Sequence, residues 1–130
     1  MIKTARAIII EENGLMTFYR ERIKDGVKTC YYAIPGGHVE EGETPEDTVV
    51  RELKEELDID IKIIKYLGNL VINNICEEYY LCEKISGEPI LSGEEKERNC
   101  ESNYYEFRYY PIDKLDSSGI KSIDLIKSVL

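Results

Sequence analysis

The sequence of 130 residues predicts a single α/β domain. Apolar and β-branched stretches of strand length stand before and after a helical stretch with clear boundaries, and a second helical pattern closes the chain. No repeat, low-complexity tract or Pro/Ser-rich linker interrupts this order. A chain of this length buries about two-thirds of the surface of its unfolded state, so we expect one hydrophobic core within residues 1–130.

The first elements are predicted strands. Residues 4–11 and 15–22 are strand-like, and residues 12–14 (ENG) between them favour a hairpin turn because an Asn-Gly pair supports positive φ. A third strand at 28–34 must end at residues 35–37 (PGG), since proline has no amide hydrogen to donate to a β-ladder.

A helix is predicted from Pro45 to about Leu57. Thr44 offers a capping hydroxyl, Pro45 suits the first helical position, and acidic residues in the first turn complement the helix dipole. Val50, Leu53 and Leu57 recur at i, i+3 and i+7, so we expect these three side chains to form the buried stripe of the helix.

The second half of the chain returns to strands. Residues 59–72, 75–85 and 104–110 are predicted strands, and residues 120–129 have the apolar spacing of a closing amphipathic helix. The loop at 86–103 is too long for an idle hairpin connection, and loops of this length are usually functional or disordered. We therefore expect this loop to reach the functional site.

Composition and charge exclude several classes of function. The formal net charge of −9 argues against binding along a nucleic acid backbone, which needs a basic face. The four cysteines form no C-x-x-C pair and there is one histidine, so a zinc site is not expected. The apolar run at residues 7–10 is too short for a signal peptide or a membrane span. These features predict a cytoplasmic protein with reduced thiols and no membrane partner.

Three glutamates of the predicted helix lie side by side, about 100° around the axis from the buried stripe, so we expect them to line a surface or a cleft outside the core. Glu52, Glu55 and Glu56 stand at i, i+3 and i+4, and each like-charged pair at this spacing destabilises a helix by about 0.2 to 0.5 kcal/mol. Arg51 can pair with Glu55, but one cation does not neutralise three acids. Mg²⁺ or Mn²⁺ would offset the repulsion more fully and would gather substrate phosphates. The alternative is an ordinary solvated face of a charged helix.

The glutamates belong to a longer pattern that resembles the Nudix box. Written G-x5-E-x7-R-E-U-x-E-E-x-G-U, where U is a bulky aliphatic residue, the pattern has fixed spacing throughout and is specific for that reason. The chain departs from it only at Asp58, where the family has glycine; Asp tolerates the left-handed conformation better than most residues, so we expect a modest stability cost. The matching positions are Gly37, Glu43, Arg51, Glu52, Leu53, Glu55, Glu56 and Ile59.

The resemblance implies a Nudix fold, an α/β/α sandwich with a mixed β-sheet. It also implies an enzyme that uses Mg²⁺, or Mn²⁺ in its place, to hydrolyse a pyrophosphate bond in a nucleoside diphosphate linked to another group. Nucleoside triphosphates, nucleotide sugars, ADP-ribose and dinucleoside polyphosphates are all compatible with the sequence. Members of the family are often homodimers, but no residue pattern identifies an interface.

Roles for individual residues follow from the resemblance alone. The glutamates that match Glu52, Glu55 and Glu56 bind the divalent cations in Nudix hydrolases, often together with the backbone carbonyl at the position of Gly36. Family members differ over the general base, which is the acid matching Glu52, another box glutamate, or a glutamate on a late loop. In this chain the late-loop candidates are Glu94, Glu95 and Glu97, of which Glu95 and Glu97 are preferred.

Further residues support or extend this site. The residues that match Glu43 and Arg51 typically form a salt bridge that ties the loop to the helix. Gly36 and Gly37 let the backbone approach the metal closely, which a β-carbon would hinder. The pattern does not fix His38, so we expect a solvent-facing side chain there. Candidates to bind substrate phosphates are Arg20, Arg22 and Arg98.

Two other functions remain open at this point. A domain of the same fold could bind a nucleotide as a sensor without turnover, which the loss of box acids would favour; all of them are retained here. An acidic interaction module that contacts a basic partner would show no metal-dependent stabilisation.

Overall fold

Two β-sheets of four strands each carry the fold in the computed structural model, which describes residues 1–91, 100 and 102–130. The strands are β1 (Ile2–Ile8), β2 (Ile10–Glu11), β3 (Gly14–Lys24), β4 (Val27–Ala33), β5 (Gly36–His38), β6 (Asp60–Ile72), β7 (Ile75–Ser86) and β8 (Asn103–Tyr110).

The first sheet is mixed, as the sequence predicted. Its strand order is β5-β1-β7-β6, with β1 parallel to β7 and the other neighbours antiparallel. Arg6 of β1 is paired with Gly36 on one side and with Tyr79 on the other. This register places β5 at the edge of the sheet beside β1, and Gly36 and Gly37 at the start of β5 are called the glycine turn below.

The second sheet is antiparallel and is centred on β3, which pairs with β2, β4 and β8. The hairpin predicted at residues 12–14 is present, but it joins β3 to the short β2. The strand predicted at 4–11 is therefore wrong in its extent: the chain leaves the first sheet after Ile8 and enters the second at Ile10. Ile8 and Ile9 are both buried, in different cores, and the continuous apolar run gives no sign of this crossing.

The helix α1 spans Pro45–Leu57, and both of its predicted ends are confirmed. The Thr44 hydroxyl accepts a hydrogen bond from the Asp47 amide at 3.1 Å, and the Asp47 carboxylate accepts one from the Thr44 amide at 3.3 Å. This reciprocal capping satisfies amides that a helix leaves unpaired at its first turn. At the other end Asp58 adopts the left-handed conformation, with φ 55° and ψ 40°.

The buried stripe of α1 differs from the prediction by one residue. Val49 is buried, and Val50 is 42% exposed. Val49, Leu53 and Leu57 stand at i, i+4 and i+8, a spacing that the sequence allows equally well. The stripe is rotated as a result, and Glu56 is only 4% exposed. The expectation that all three glutamates lie outside the core is wrong for Glu56.

The sheets are covered on both faces, which confirms the α/β/α arrangement. Successive side chains of a strand point to opposite faces, so neighbouring residues of β1 and β7 enter different cores. The core under α1 includes Ala5, Ala7, Met16, Phe18, Val49, Leu53, Leu57 and Tyr80. The core under the C-terminal segment includes Ile8, Leu15, Ile34, Tyr79, Tyr110, Leu115, Ile120 and Ile126.

The closing helix is shorter than predicted. A 3₁₀-helix spans Ile112–Ser117, and α2 covers only Ile123–Lys127. Gly119, with φ 73°, turns the chain between them, and Ile120 is buried without being helical. The apolar spacing of the segment therefore marks residues that pack on the sheet, of which α2 contains only some.

Among the residues that the structure describes, no helix is both long enough and apolar enough to cross a lipid bilayer. The longest helix in the described part of the chain, α1, has 13 residues.

We expect Asp58→Gly to stabilise the protein slightly. A left-handed conformation costs an ordinary L-residue about 1 to 2 kcal/mol and costs glycine almost nothing. The exposed Lys54–Asp58 ion pair, at 3.2 Å, offsets only a few tenths of a kcal/mol. The free energy of unfolding, measured by urea denaturation, should rise by roughly 0.5 kcal/mol in Asp58→Gly and fall by about 1 kcal/mol in Asp58→Ala. Equal stability of the two variants would show that this conformation is not under strain.

Candidate active site

The glycine turn lies directly against the acidic face of α1. A β-carbon on Gly37 would overlap the carboxylate of Glu52. Gly36 has φ 150°, and a β-carbon there would overlap the carbonyl oxygen of Ala5 in the neighbouring strand. Position 36 therefore requires glycine, and a larger residue at position 37 would displace the carboxylate of Glu52.

The guanidinium of Arg51 connects the loop before α1 to the helix. Its Nε and Nη2 donate to the two carboxylate oxygens of Glu43 at 2.6 and 3.0 Å, and Nη2 also donates to the carbonyl of His38 at 3.2 Å. The predicted salt bridge between Glu43 and Arg51 is therefore present, in the bidentate geometry that arginine forms with a carboxylate. The His38 ring position is exposed, as expected, and only its carbonyl takes part here.

The same guanidinium reaches the acidic face. Its Nη1 lies 3.0 Å from the carboxylate of Glu52 and 3.2 Å from that of Glu55. One positive group thus sits between two of the three glutamates. This contact relieves part of the repulsion along the helix, and it turns both carboxylates toward a common space.

The electrostatics of this cluster are dominated by the same pair. Hydrogen bonds from Arg51, and then from the Thr48 hydroxyl at 2.6 Å, lower the pKa of Glu43 to about 2. The hydrogen bond with Glu43, followed by the attraction of Glu52, raises the pKa of Arg51 although burial opposes it. Both groups are therefore charged across the physiological range, and the loop stays attached to the helix.

The three glutamates of the acidic face lie at different depths. The side chain of Glu55 is 57% exposed and that of Glu52 is 15% exposed, whereas Glu56 is almost fully buried. The exposure of the three side chains thus falls from Glu55, through Glu52, to Glu56. The residues are close in the helix, but they are not three equivalent surface acids.

Within residues 1–91, 100 and 102–130, no three His, Cys, Asp or Glu side chains converge closely enough to hold a metal ion. The chemistry of the cluster nevertheless fits a hard divalent cation. Carboxylate oxygens are its preferred ligands, a cationic group already lies between Glu52 and Glu55, and the lack of a β-carbon on Gly37 lets the carboxylate of Glu52 lie against the backbone there.

The late-loop predictions cannot be placed. Glu94, Glu95, Glu97 and Arg98 lie outside the described residues.

The two arginines of β3 have different surroundings. Arg20 stacks over the rings of Tyr31 and Tyr105, with its guanidinium carbon 5.4 and 4.3 Å from the two ring centres, and it lines a cavity. Arg22 is exposed near the end of the strand. Of these two arginines, Arg20 is the one that lines the cavity described next.

That cavity, of 480 Å³, lies on the face of the first sheet that is turned away from α1. Arg6 donates to the carbonyl of Ile34 at 3.1 Å, and its other terminal nitrogen lies 3.8 Å from Glu77. Sequence reasoning missed these residues, because nothing in their spacing brings β1, β7 and the C-terminal segment together. Residues that line the cavity include Arg6, Arg20, Tyr31, Ile34, Glu77 and Ser122.

Comparison with known proteins decides the family. The model of the NUDIX domain matches residues 2–124, nearly the whole chain. The protein belongs to the Nudix family. It is accordingly a Nudix hydrolase, an enzyme that acts on phosphorus-containing acid anhydrides.

Two curated relatives are similar in sequence to this Nudix protein. The 8-oxo-dGTP diphosphatase of Escherichia coli (strain K12) is 35% identical over 92 residues, which cover 68% of this chain and 70% of the relative. The ADP-ribose pyrophosphatase of Methanocaldococcus jannaschii is 43% identical over 61 residues, which cover 47% of this chain and 34% of the relative.

Solved structures agree with the Nudix fold. A Nudix hydrolase family member from Chromobacterium violaceum has a TM-score of 0.68 and 18% identity, over 99% of this chain and 76% of that protein. The MutT Nudix hydrolase from Burkholderia pseudomallei has a TM-score of 0.66 and 22% identity, over 86% of this chain and 84% of that protein.

The lowered pKa of Glu43 predicts a specific dependence of stability on pH. Its pKa is about 2 in the folded protein, against 4.5 ordinarily, so the unfolded chain binds more protons between these values. The stabilisation is complete above pH 4.5 and is lost as the pH falls toward 2. In Glu43→Gln this loss should disappear, so its free energy of unfolding should fall less steeply than that of wild type between pH 4.5 and 2.

Urea denaturation over this pH range measures the effect. Glu41→Gln, which alters an exposed acid of the same loop, should follow the wild-type curve. Parallel curves for wild type and Glu43→Gln would contradict the assignment.

Proposed function

We propose that this Nudix hydrolase uses Mg²⁺ to hydrolyse a pyrophosphate bond in a nucleoside diphosphate linked to another group, with Mn²⁺ as the other candidate ion. The observation that supports this most is the position of Glu52. Its carboxylate faces the glycine turn on one side and shares a guanidinium nitrogen with Glu55 on the other.

Nudix hydrolases generally use divalent metal ions. The residues that would hold the ion are Glu52, Glu55 and Glu56, with the backbone carbonyl of Gly36. When bound, a divalent cation lowers the pKa of its water and polarises the phosphorus that the water attacks. Glu52 and Glu55 would share their carboxylates between the ion and Arg51, which contacts both of them at 3.0 and 3.2 Å.

Side chains of the protein position the glycine turn and provide the general base for the attacking water. Glu43 and Arg51 hold the glycine turn on the helix, and they do not need to touch the substrate. A carboxylate accepts the proton of the attacking water, whose oxygen forms a new bond to phosphorus while the bond to the bridging oxygen breaks. Glu52 and the other box glutamates are candidates for this base, as are Glu95 and Glu97.

The substrate class is supported by the relatives and by the cavity. The names of both curated relatives denote nucleotides, one with an 8-oxo form of guanine and one with adenine. The cavity beside Ile34 combines aromatic and apolar side chains with a few polar and charged ones, a combination typical of small-molecule sites. Ile34 stands only three residues before Gly37, so the cavity and the glycine turn are close in space.

The setting proposed for the enzyme is the cytoplasm, with residues 1–130 acting as a single Nudix domain. Its four cysteines include no C-x-x-C pair and are expected to be reduced in that compartment. The acidic composition does not favour nucleic acid or a membrane surface as a partner. Assembly as a homodimer is proposed on the resemblance alone.

Substitution of single box acids tests the proposed function. Glu55→Gln and Glu56→Gln should each lower kcat by at least ~100-fold, because each removes a negative ligand from the reaction centre. Glu55→Gln should leave the melting temperature unchanged or raised, since removal of a like charge beside Glu52 offsets the loss of the exposed contact with Arg51. The measurement is release of phosphate or pyrophosphate from a panel of nucleotides, with Mg²⁺ and after its removal by a chelator.

Glu41→Gln provides the control, since it removes an exposed carboxylate that the Nudix pattern does not fix. It should retain wild-type activity. Full activity of both Glu55→Gln and Glu56→Gln would refute the assignment. Absence of hydrolysis in wild type with every nucleotide and either ion would favour a sensor that binds without turnover.

A further inference from the structure

The cavity on the far face of the first sheet has its own polar floor. Arg6 and Glu77 lie on neighbouring strands, β1 and β7, and both side chains are about one-quarter exposed. Because side chains alternate along a strand, Arg6 points into the cavity while Ala5 and Ala7 on either side of it pack under α1. The floor is therefore separate from the acidic cluster, although β1 contributes to both.

Arg6 and Glu77 lie side by side, but neither side chain uses its full hydrogen-bonding capacity on the other. One terminal nitrogen of Arg6 donates to the carbonyl of Ile34, and the other lies 3.8 Å from Oε1 of Glu77, which is too far for a hydrogen bond. The Tyr79 hydroxyl donates to Oε2 of Glu77 at 2.6 Å. Burial, followed by this bond, raises the pKa of Tyr79, which keeps it a donor. A cationic donor and a carboxylate acceptor thus remain available side by side.

The wall of the cavity also contains Ser122, which is 1% exposed. Its side chain interacts with the hydroxyl of Tyr79 and opposes part of the rise in the pKa of Tyr79. Tyr31 and Ile34 add apolar surface on which a flat ring can lie.

We propose that this cavity selects a guanine base, with Glu77 and Arg6 as the residues that determine specificity. Guanine presents two adjacent N–H donors, on N1 and N2, beside the O6 acceptor. The carboxylate of Glu77 accepts from both donors, and the terminal nitrogen of Arg6 donates to O6. This proposal rests on the proposed function, since it names the nucleotide that the enzyme hydrolyses.

The other bases present a different pattern of hydrogen-bond donors and acceptors to Glu77 and Arg6. Adenine and cytosine place a ring nitrogen lone pair beside their single amino donor, so one carboxylate oxygen would face a lone pair. Uracil and thymine present one N–H between two carbonyls, which the carboxylate would repel. A site whose buried polar groups stay unpaired with the wrong ligand discriminates strongly against it.

The geometry also directs the rest of the nucleotide. The carbonyl that accepts from Arg6 belongs to Ile34, and Arg6 itself pairs with Gly36 across β1 and β5. A base held on Arg6 and Glu77 therefore lies next to β5, the strand that contains Gly36 and Gly37. The sugar and phosphates can leave the cavity around this sheet edge toward Glu52.

The test compares guanine and adenine nucleotides in Glu77→Gln and in the control Glu78→Gln. Glu78 is the next residue of β7 and points to the other face of the sheet, where it accepts from Tyr66. Wild type should have at least ~10-fold higher kcat/KM for GTP than for ATP. Glu77→Gln should remove this preference through a higher KM for GTP with little change for ATP, and Glu78→Gln should preserve it.

Calorimetric titration with GMP and AMP, without metal, separates base selection from catalysis. Wild type should bind GMP more tightly than AMP, and Glu77→Gln should bind both weakly. Arg6→Lys, which keeps the charge but loses the fork geometry, should also weaken GMP binding and serves where Glu77→Gln does not fold. Equal use of GTP and ATP by wild type, or an equal loss for both in Glu77→Gln, overturns the proposal.

The outcomes also distinguish this inference from the proposed function. Hydrolysis of nucleotides with no preference for guanine refutes the base selection and leaves the pyrophosphohydrolase intact. Selective GMP binding that depends on Glu77, without hydrolysis of any nucleotide in the presence of Mg²⁺ or Mn²⁺, supports the guanine site and refutes the enzyme function.

Discussion

The paired contact of Arg51 with Glu43 is the interaction on which the site depends. A guanidinium offers five N–H donors in a rigid plane, and here they reach a loop carboxylate, a loop carbonyl and two helix carboxylates at once. A lysine has a single charged nitrogen and could not make these contacts together. The glycine turn therefore stays beside Glu52 because one side chain holds both ends of the arrangement.

The central strand β1 explains how chemistry and recognition can be separate yet close. Its small residues Ala5 and Ala7 let α1 pack tightly on one face, and Arg6 between them serves the cavity on the other. The glycine turn pairs with the same strand at Gly36 and Gly37. The base and the phosphates of the proposed substrate would thus bind on opposite faces of the first sheet. The sugar would connect them around the edge formed by β5.

Much of this arrangement could be predicted from the sequence because it is local. The capping residue Thr44, the left-handed Asp58 and the spacing of the box acids are set by neighbours within one or two turns of helix, and the structure has them as expected. Two adjacent valines leave the phase of a helix open by 100°, so the choice between Val49 and Val50 depended on packing.

Features that depend on distant parts of the chain could not be predicted. The division of the first strand at Ile9 follows from two sheets that share a continuous apolar run. The cavity joins β1, β7 and the segment after Gly119, and no spacing in the sequence relates Arg6 to Glu77 or Ser122. Glu56 looks like any other helix glutamate until its burial is known.

The central claim is that the acidic face of α1 takes up a divalent ion and through it an anionic substrate. Isothermal titration of metal-free protein with millimolar Mg²⁺ or Mn²⁺ tests it most directly, with and without GMP or AMP present. Saturable uptake is expected in wild type, with marked weakening in Glu52→Gln. Absence of uptake of either ion by wild type under both conditions would contradict the claim.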